Sequence, residues 1–267
     1  MFQGCTSLNK RIAIQVPTFG YLAQKEFSGM FKGCTSLQSG VLMSGMWRPM
    51  NKTCESMFEG CTNLKRDDFF QETYGIVGYM IPGPSSCYNM FKGCTALTAA
   101  IFPTYCKTTN DSCFKNMYEG CTGLKTATLP VHDLTNNCYQ EMFKGCTSLT
   151  GVDIKGISLD TNSCLAMFSG CSQLTYIKVN FTDWRDDLHA TTNWVVGVAG
   201  AGTFVKPTAL PLIQDASHIP EGWNVVNDDT DINENGRGIV ITPNSTTTIM
   251  FKSDDGWETP PDEGHER

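Results

Sequence analysis

Residues 138–154 read CYQEMFKGCTSLTGVDI, and two periodicities meet inside them. Cys138, Met142, Phe143 and Cys146 recur at three- and four-residue spacing, the pattern of one helical face. Gly145 follows where a short helix commonly ends in a left-handed residue. Leu149, Val152 and Ile154 then run Leu-x-x-apolar-x-apolar, whose second half has the alternation of a strand. One unit is therefore expected to hold a short helix, a glycine turn, a short strand and a polar return loop. Leu174, Ile177 and Val179 repeat the figure one unit later, and Leu124, Ala127 and Leu129 one unit earlier.

The centre of that stretch, Met-Phe-x-Gly-Cys-Thr-x-Leu, occurs seven times, starting at Met1, Met30, Met57, Met90, Met117, Met142 and Met167. Tyr118 replaces Phe in one copy and Ser172 replaces Thr in another. The motif cysteines are Cys5, Cys34, Cys61, Cys94, Cys121, Cys146 and Cys171, with steps of 29, 27, 33, 27, 25 and 25 residues. Units this short cannot bury an apolar face alone and must bury it against their neighbours. The chain is thus read as an α/β repeat solenoid over residues 1–180, with one strand and one short helix per coil and a parallel sheet on one face. The long step carries an insertion around Thr73 to Pro84, with a turn signal at Pro82-Gly83-Pro84.

After Asn180 the motif stops. Residues 181–226 contain Trp184, Trp194 and Trp223 and are expected to cap the open apolar end of the array. Residues 227–267 hold ten acidic and three basic side chains, which accounts for the whole net charge of −7. Within this acidic tail, Gly238 to Phe251 reads as a hairpin about Pro243-Asn244-Ser245, and the last residues, DDGWETPPDEGHER, read as disordered.

Charge and hydropathy exclude several classes of function. A neutral body without a basic stripe lacks the electrostatic footprint of nucleic-acid or anionic-membrane binding. No apolar run reaches the roughly 18 residues that would span a bilayer. Met1 to Lys10 lack the basic and apolar regions of a secretory signal. The uncapped N-terminal coil is expected either to follow an upstream segment or to pack on another chain.

Candidate chemistry is sparse. Cys54, Cys87, Cys113, Cys138 and Cys164 form a second cysteine set, and Cys106 stands alone. On one helix face Cys54 and Cys61 would lie roughly 10 to 12 Å apart, beyond the roughly 7 Å that a disulfide spans. The cysteines are read as buried thiols, with bridges between adjacent coils as the alternative. No Cys-x-x-Cys occurs and no metal site is expected. His132, His189, His218 and His265 have no nucleophile placed with them by a motif. Gly197-x-x-Gly200-x-Gly202 echoes a dinucleotide loop but fits a cap better, because no strand-then-helix unit surrounds it. Asp231-x-Asn233-x-Asn235-Gly236 starts like a calcium loop, but its twelfth position is Thr242. Neither catalysis nor a cofactor is expected.

The strand positions that point away from the core remain. Among them Lys125, Thr128, Asp153, Tyr176 and Lys178 would line an extended outer face. An aromatic beside opposite charges suits a protein or a sugar ring.

The units CYNMFKGCTAL, CYQEMFKGCTSL and CLAMFSGCSQL, each followed by Leu-x-x-apolar, resemble the BspA-like leucine-rich repeat family of bacterial surface proteins, common in gut Bacteroidales. Asn193 to Val226 looks like the segment that closes many such arrays. The resemblance implies a right-handed leucine-rich-repeat solenoid at the cell surface or outside the cell. It also implies a non-enzymatic, adhesive role toward host or bacterial surface proteins or glycans. The alternative expectation is a structural or receptor-binding component of a phage or other particle that engages a gut bacterial surface, which would place the chain on a virion.

Overall fold

A computed structural model of the chain describes residues 2–9, 12–39, 41–65, 82–100, 102, 109–129, 133–228, 251–253 and 256–258. The chain divides into two units, Met1–Asp229 and Thr230–Arg267. The first contains β1 (Ile12–Leu22), β2 (Val41–Pro49), β3 (Ala99–Ala100), β4 (Thr126–Thr128), β5 (Gly151–Ile154), β6 (Tyr176–Val179), β7 (Thr203–Lys206) and β8 (Asn224–Asn227). β1 and β2 pair in parallel as one sheet, and β3 to β8 form a second, six-stranded sheet in chain order. Every neighbouring pair in that sheet is parallel. Parallel neighbours in strict chain order are what one strand per coil produces, so this unit is a parallel β-solenoid.

The strands alternate as the sequence requires. Val152 and Ile154 of β5, and Ile177 and Val179 of β6, point into the core, while Asp153 and Lys178 stay partly exposed. The sheet also continues past Asn180, because β7 and β8 add to it in register.

The helix side of the coil is built differently from the expectation. Among the described residues the only helical segment is a short 3-10 turn at Asp186–Leu188. Where a helix was expected, the coil is a ladder of successive turns. In residues 50–61 the amides of Thr53, Glu55, Met57, Glu59 and Cys61 each donate to the carbonyl three residues earlier, at 3.0–3.4 Å. The alternate amides of Lys52, Cys54, Ser56, Phe58 and Gly60 instead donate to Pro84, Ser86, Tyr88, Met90 and Lys92 of the next coil, at 2.8–3.1 Å. Every fourth residue has left-handed φ: Lys52 at 59°, Ser56 at 55° and Gly60 at 74°. An α-helix sends all its amides to its own i−4 carbonyls, and here half of them leave the coil. The four-residue turn period gives nearly the same i, i+3, i+4, i+7 spacing as a helical face.

This ladder stacks like on like. Phe2, Phe31, Phe58, Phe91, Tyr118, Phe143 and Phe168 form a column of near-parallel rings with centroids 5.3–6.1 Å apart, and Trp194 ends it at 5.6 Å. Such pairs contribute about 0.5–1.5 kcal/mol each beyond the area they bury.

The twelve described cysteines are thiols, eleven buried and Cys5 exposed; Cys106 and His132 lie outside the described residues. The buried thiols do more than fill space. Cys34, Cys61, Cys94, Cys121, Cys146 and Cys171 each donate S–H to the aromatic carbonyl of the preceding coil, at 2.9–3.2 Å. Phe31, for example, receives the Cys34 amide at 3.0 Å and the Cys61 thiol at 3.1 Å, which occupies both of its lone pairs. Burial pushes the Cys61, Cys164 and Cys171 thiols up to about 12, so they stay protonated and unreactive at neutral pH.

In the second unit, β9 (Phe251–Ser253) and β10 (Gly256–Glu258) form an antiparallel pair. β10 falls in the stretch read from sequence as disordered, which corrects that reading for residues 256–258. The expected hairpin about Pro243, and the calcium-loop echo, lie outside the described residues.

Candidate functional site

Strand register sorts alternate strand positions into two rows across the sheet. One row is Thr126–Gly151–Tyr176–Thr203–Asn224, and the next is Thr128–Asp153–Lys178–Val205–Val226. Four of the five residues singled out from the sequence thus lie on adjacent rows: Thr128, Asp153 and Lys178 on one, and Tyr176 on the other. Lys125 is exposed, but it lies one residue before β4 at a corner of the coil. There its amide donates to Thr98, and its carbonyl accepts the Thr150 amide and hydroxyl at 3.2 Å.

Tyr176 is the exposed aromatic of this face, at 39 % of its free surface. Its neighbour in register is Gly151, where an added Cβ would stand 3.4 Å from the Tyr176 Cβ and 3.5 Å from its Cδ1. The missing side chain at Gly151 therefore leaves room for the tyrosine to lean over bare backbone. Val226 at 41 % exposure puts an apolar side chain at the C-terminal edge of the same surface.

The charges on this face are not free. Lys178 Nζ donates to Asp228 Oδ2 at 2.5 Å, with both side chains about three-quarters buried. That bond, aided by the nearby charges of Asp228 and Asp153, raises the Lys178 ammonium above the ordinary lysine range. Asp153 Oδ1 is shut off from solvent without a hydrogen-bond partner. Lysine is therefore held between two carboxylates, and the local balance is acidic. Asp228 lies 50 residues after Lys178 in an irregular segment, and no spacing in the sequence pointed to it.

Two other features were not legible. On the turn side, the residue between Phe and Gly alternates in charge: Lys32, Glu59, Lys92, Glu119 and Lys144. Lys32 pairs with Glu59 at 3.0 Å and Lys92 with Glu119 at 2.7 Å, so that side presents no patch of one sign. Near the C-terminal end, His218 is 8 % exposed, with Nδ1 2.8 Å from Asp215 and Nε2 3.1 Å from Asp186. It also meets the Trp184 ring edge-on at 5.0 Å. Burial works to raise the Asp215 carboxyl, but the Ser217 amide and His218 outweigh it and hold that carboxyl below its usual range. With both ring nitrogens bonded to carboxylates, His218 ties two loops together and has no nucleophile bonded to it. The Gly197–Gly200–Gly202 run serves packing. An added Cβ at Gly202 would meet the Thr175 carbonyl oxygen at 2.5 Å and Trp223 at 2.8 Å.

No described helix is long and apolar enough to cross a membrane. Among the described residues no cluster of three or more His, Cys, Asp or Glu side chains could hold a metal.

Residues 85–192 match the family model described as BspA type leucine rich repeat region, in six copies. The chain is also similar to the crystal structure of the T. pallidum leucine rich repeat protein, at 21% identity and a TM-score of 0.39, over 67% of this chain and 76% of that one. A leucine-rich repeat protein from Bacteroides ovatus matches at 16% identity and a TM-score of 0.27, over 77% of this chain and 64% of that one. None of the curated proteins matches. Repeats of this type are generally protein-binding and non-enzymatic, and the family is often surface-associated.

Proposed function

We propose that this chain is a non-enzymatic adhesin-like module that binds a protein through the outer face of β5–β8, at a cell surface or outside the cell. The observation that carries the reading is Tyr176, exposed on a flat sheet face over Gly151 and flanked in register by Thr203. An exposed aromatic on a rigid support is the residue type that dominates protein interfaces, because it buries a large area at low entropic cost. Val226 supplies exposed apolar surface near it, and the acidic surplus around Lys178 favours a partner with neutral or basic groups at that rim. Residues 181–226 close the C-terminal end of the array in this reading, and 227–267 form a separate tail.

The test is to label the purified chain and measure its binding to intact Bacteroidales cells, to immobilised host matrix proteins and to epithelial cells. Tyr176→Ala and Val226→Glu are the face variants. Saturable binding to one of these surfaces, lost by about tenfold or more in either variant, supports the proposal. Binding that both variants leave unchanged removes the recognition role from this face. Binding to bacterial cells alone favours the particle reading over a host-directed adhesin.

A further inference from the structure

One position on β7 breaks the pattern of the sheet. Phe204 is in register with Ile177, and both side chains are buried in the core. By strand alternation Val205 therefore stands on the opposite, outer face. Its neighbours in register are Lys178, which is partly exposed, and Val226, which is exposed. Val205 between them is only 8 % exposed. The core lies behind this side chain, so its cover comes from the outside.

That cover is ionic. Asn224, Val226 and Asp228 alternate onto the outer face, and the Asp228 amide extends the β8 ladder by donating to the Lys206 carbonyl at 2.8 Å. Lys178 lies two strands away on β6, roughly 9 to 10 Å across the sheet. The bond from Lys178 Nζ to Asp228 Oδ2 therefore crosses β7 on the Val205 side.

Lys178 also has a carboxylate closer by. Asp153 is its partner in register on the adjacent strand β5, and Asp153 Oδ1 is shut off from solvent without a hydrogen bond. The ammonium thus reaches across two strands to one acid and leaves an unfilled acceptor on the acid beside it. A buried oxygen without a donor is costly. Each carboxylate offers the lysine a bond that the other then lacks, which gives the side chain two discrete arrangements.

We propose that Lys178 is a two-position latch on the outer face of the sheet. Bonded to Asp228, it straps β7 and hides Val205. Transferred to Asp153, it uncovers Val205 and joins it to Val226 as an apolar strip on the face that carries Tyr176. The use of that strip rests on the reading of this face as the binding surface. A polypeptide partner that buries an apolar side chain on Val205 binds the open arrangement better and so draws the latch open.

The test uses the full chain with labelled valine and isoleucine methyl groups and a soluble paramagnetic cosolute, which broadens the signals of solvent-exposed methyls. In the unaltered chain Val205 should broaden far less than Val226. Asp228→Ala removes the anchor of the strap, and the broadening of Val205 should rise several-fold toward that of Val226. Asp153→Ala removes the alternative partner and should leave Val205 at least as sheltered as before. The Ile154 and Ile177 methyls, fully buried in the core, report that each variant is folded. Unchanged broadening of Val205 in Asp228→Ala overturns the proposal. An equal rise in Asp153→Ala also overturns it, because Asp153 would then support the closed strap instead of competing with it. This readout needs no partner, so the two failures are separable. A chain whose Val205 opens as expected, yet binds none of the surfaces named above, keeps the latch and loses the binding reading.

Discussion

Along the turn side of the stack one register holds Gly33, Gly60, Gly93, Gly120, Gly145 and Gly170, and the next holds Cys34, Cys61, Cys94, Cys121, Cys146 and Cys171. Along the strand side the equivalent registers hold Thr126, Gly151, Tyr176, Thr203 and Asn224. Uniformity on one side and variety on the other have a physical cause. On the turn side each of these residues is bonded to the backbone of an adjacent coil, so a change at one rung disturbs its neighbours in the stack. The ladder glycines have φ of 71–80°, where a side chain is strained, and each amide is committed to the next coil. On the strand side the inward positions are constrained by the core, and the outward ones are free to vary. The turn side is the scaffold, and the strand side is the surface it carries.

If that division is right, substitutions should separate cleanly. The largest single effect is expected at Phe91, which is fully buried in the ring column between Phe58 and Tyr118. Phe91→Ala should cost about 3–5 kcal/mol in a denaturant titration. A cost below about 1 kcal/mol would mean that the column fills space without holding the coils together.

High pH should weaken the same side. Burial raises the Cys61, Cys164 and Cys171 thiols to about 12 from an ordinary value of 9.0. Unfolding releases them to ionise near that lower value, so their contribution is complete below about pH 9. It is lost as pH rises toward 12. The denaturation midpoint should therefore hold steady from pH 7 to about 8.5 and fall from there upward. A midpoint unchanged at pH 11 would contradict the buried-thiol ladder.

A smaller effect tests the thiol bond itself. Cys121→Ala leaves the Phe91 carbonyl with the Cys94 amide alone and should cost about 1–2 kcal/mol. Cys121→Ser keeps a donor and should cost less. If serine is the worse of the two, apolar filling outweighs hydrogen bonding at this position. The smallest stability change, within about 0.5 kcal/mol, is expected for Tyr176→Ala, because the ring is outward and rests on backbone.

Much of this architecture was legible in the sequence. Seven copies at near-constant step required a stacked array, and the alternation at Val152, Ile154, Ile177 and Val179 located the strands and their inward faces. The turn side was misread as helix because Cys54, Met57, Phe58 and Cys61 fit a helical face and a four-residue turn ladder equally well. Composition offered a clue in hindsight, since Lys52, Ser56 and Gly60, or Asn137, Glu141 and Gly145, recur every four residues in left-handed backbone. Outside glycine and asparagine, a side chain gives no sign of that conformation. Cysteine spacing marked the core but not the S–H donation, which depends on the approach of the next coil. On the candidate face the strand period brought Asp153, Tyr176 and Lys178 together. It could not reveal that Asp228 closes over Lys178.

The alternate bonding of the turn side is the central claim, and through-hydrogen-bond scalar couplings in a deuterated sample test it directly. The Gly120 amide nitrogen should couple to the carbonyl carbon of Lys144 in the following coil, across a bond of 2.8 Å. Coupling to the carbonyl of Asn116 instead would mean a helix in each coil and would contradict this account of how the array is held together.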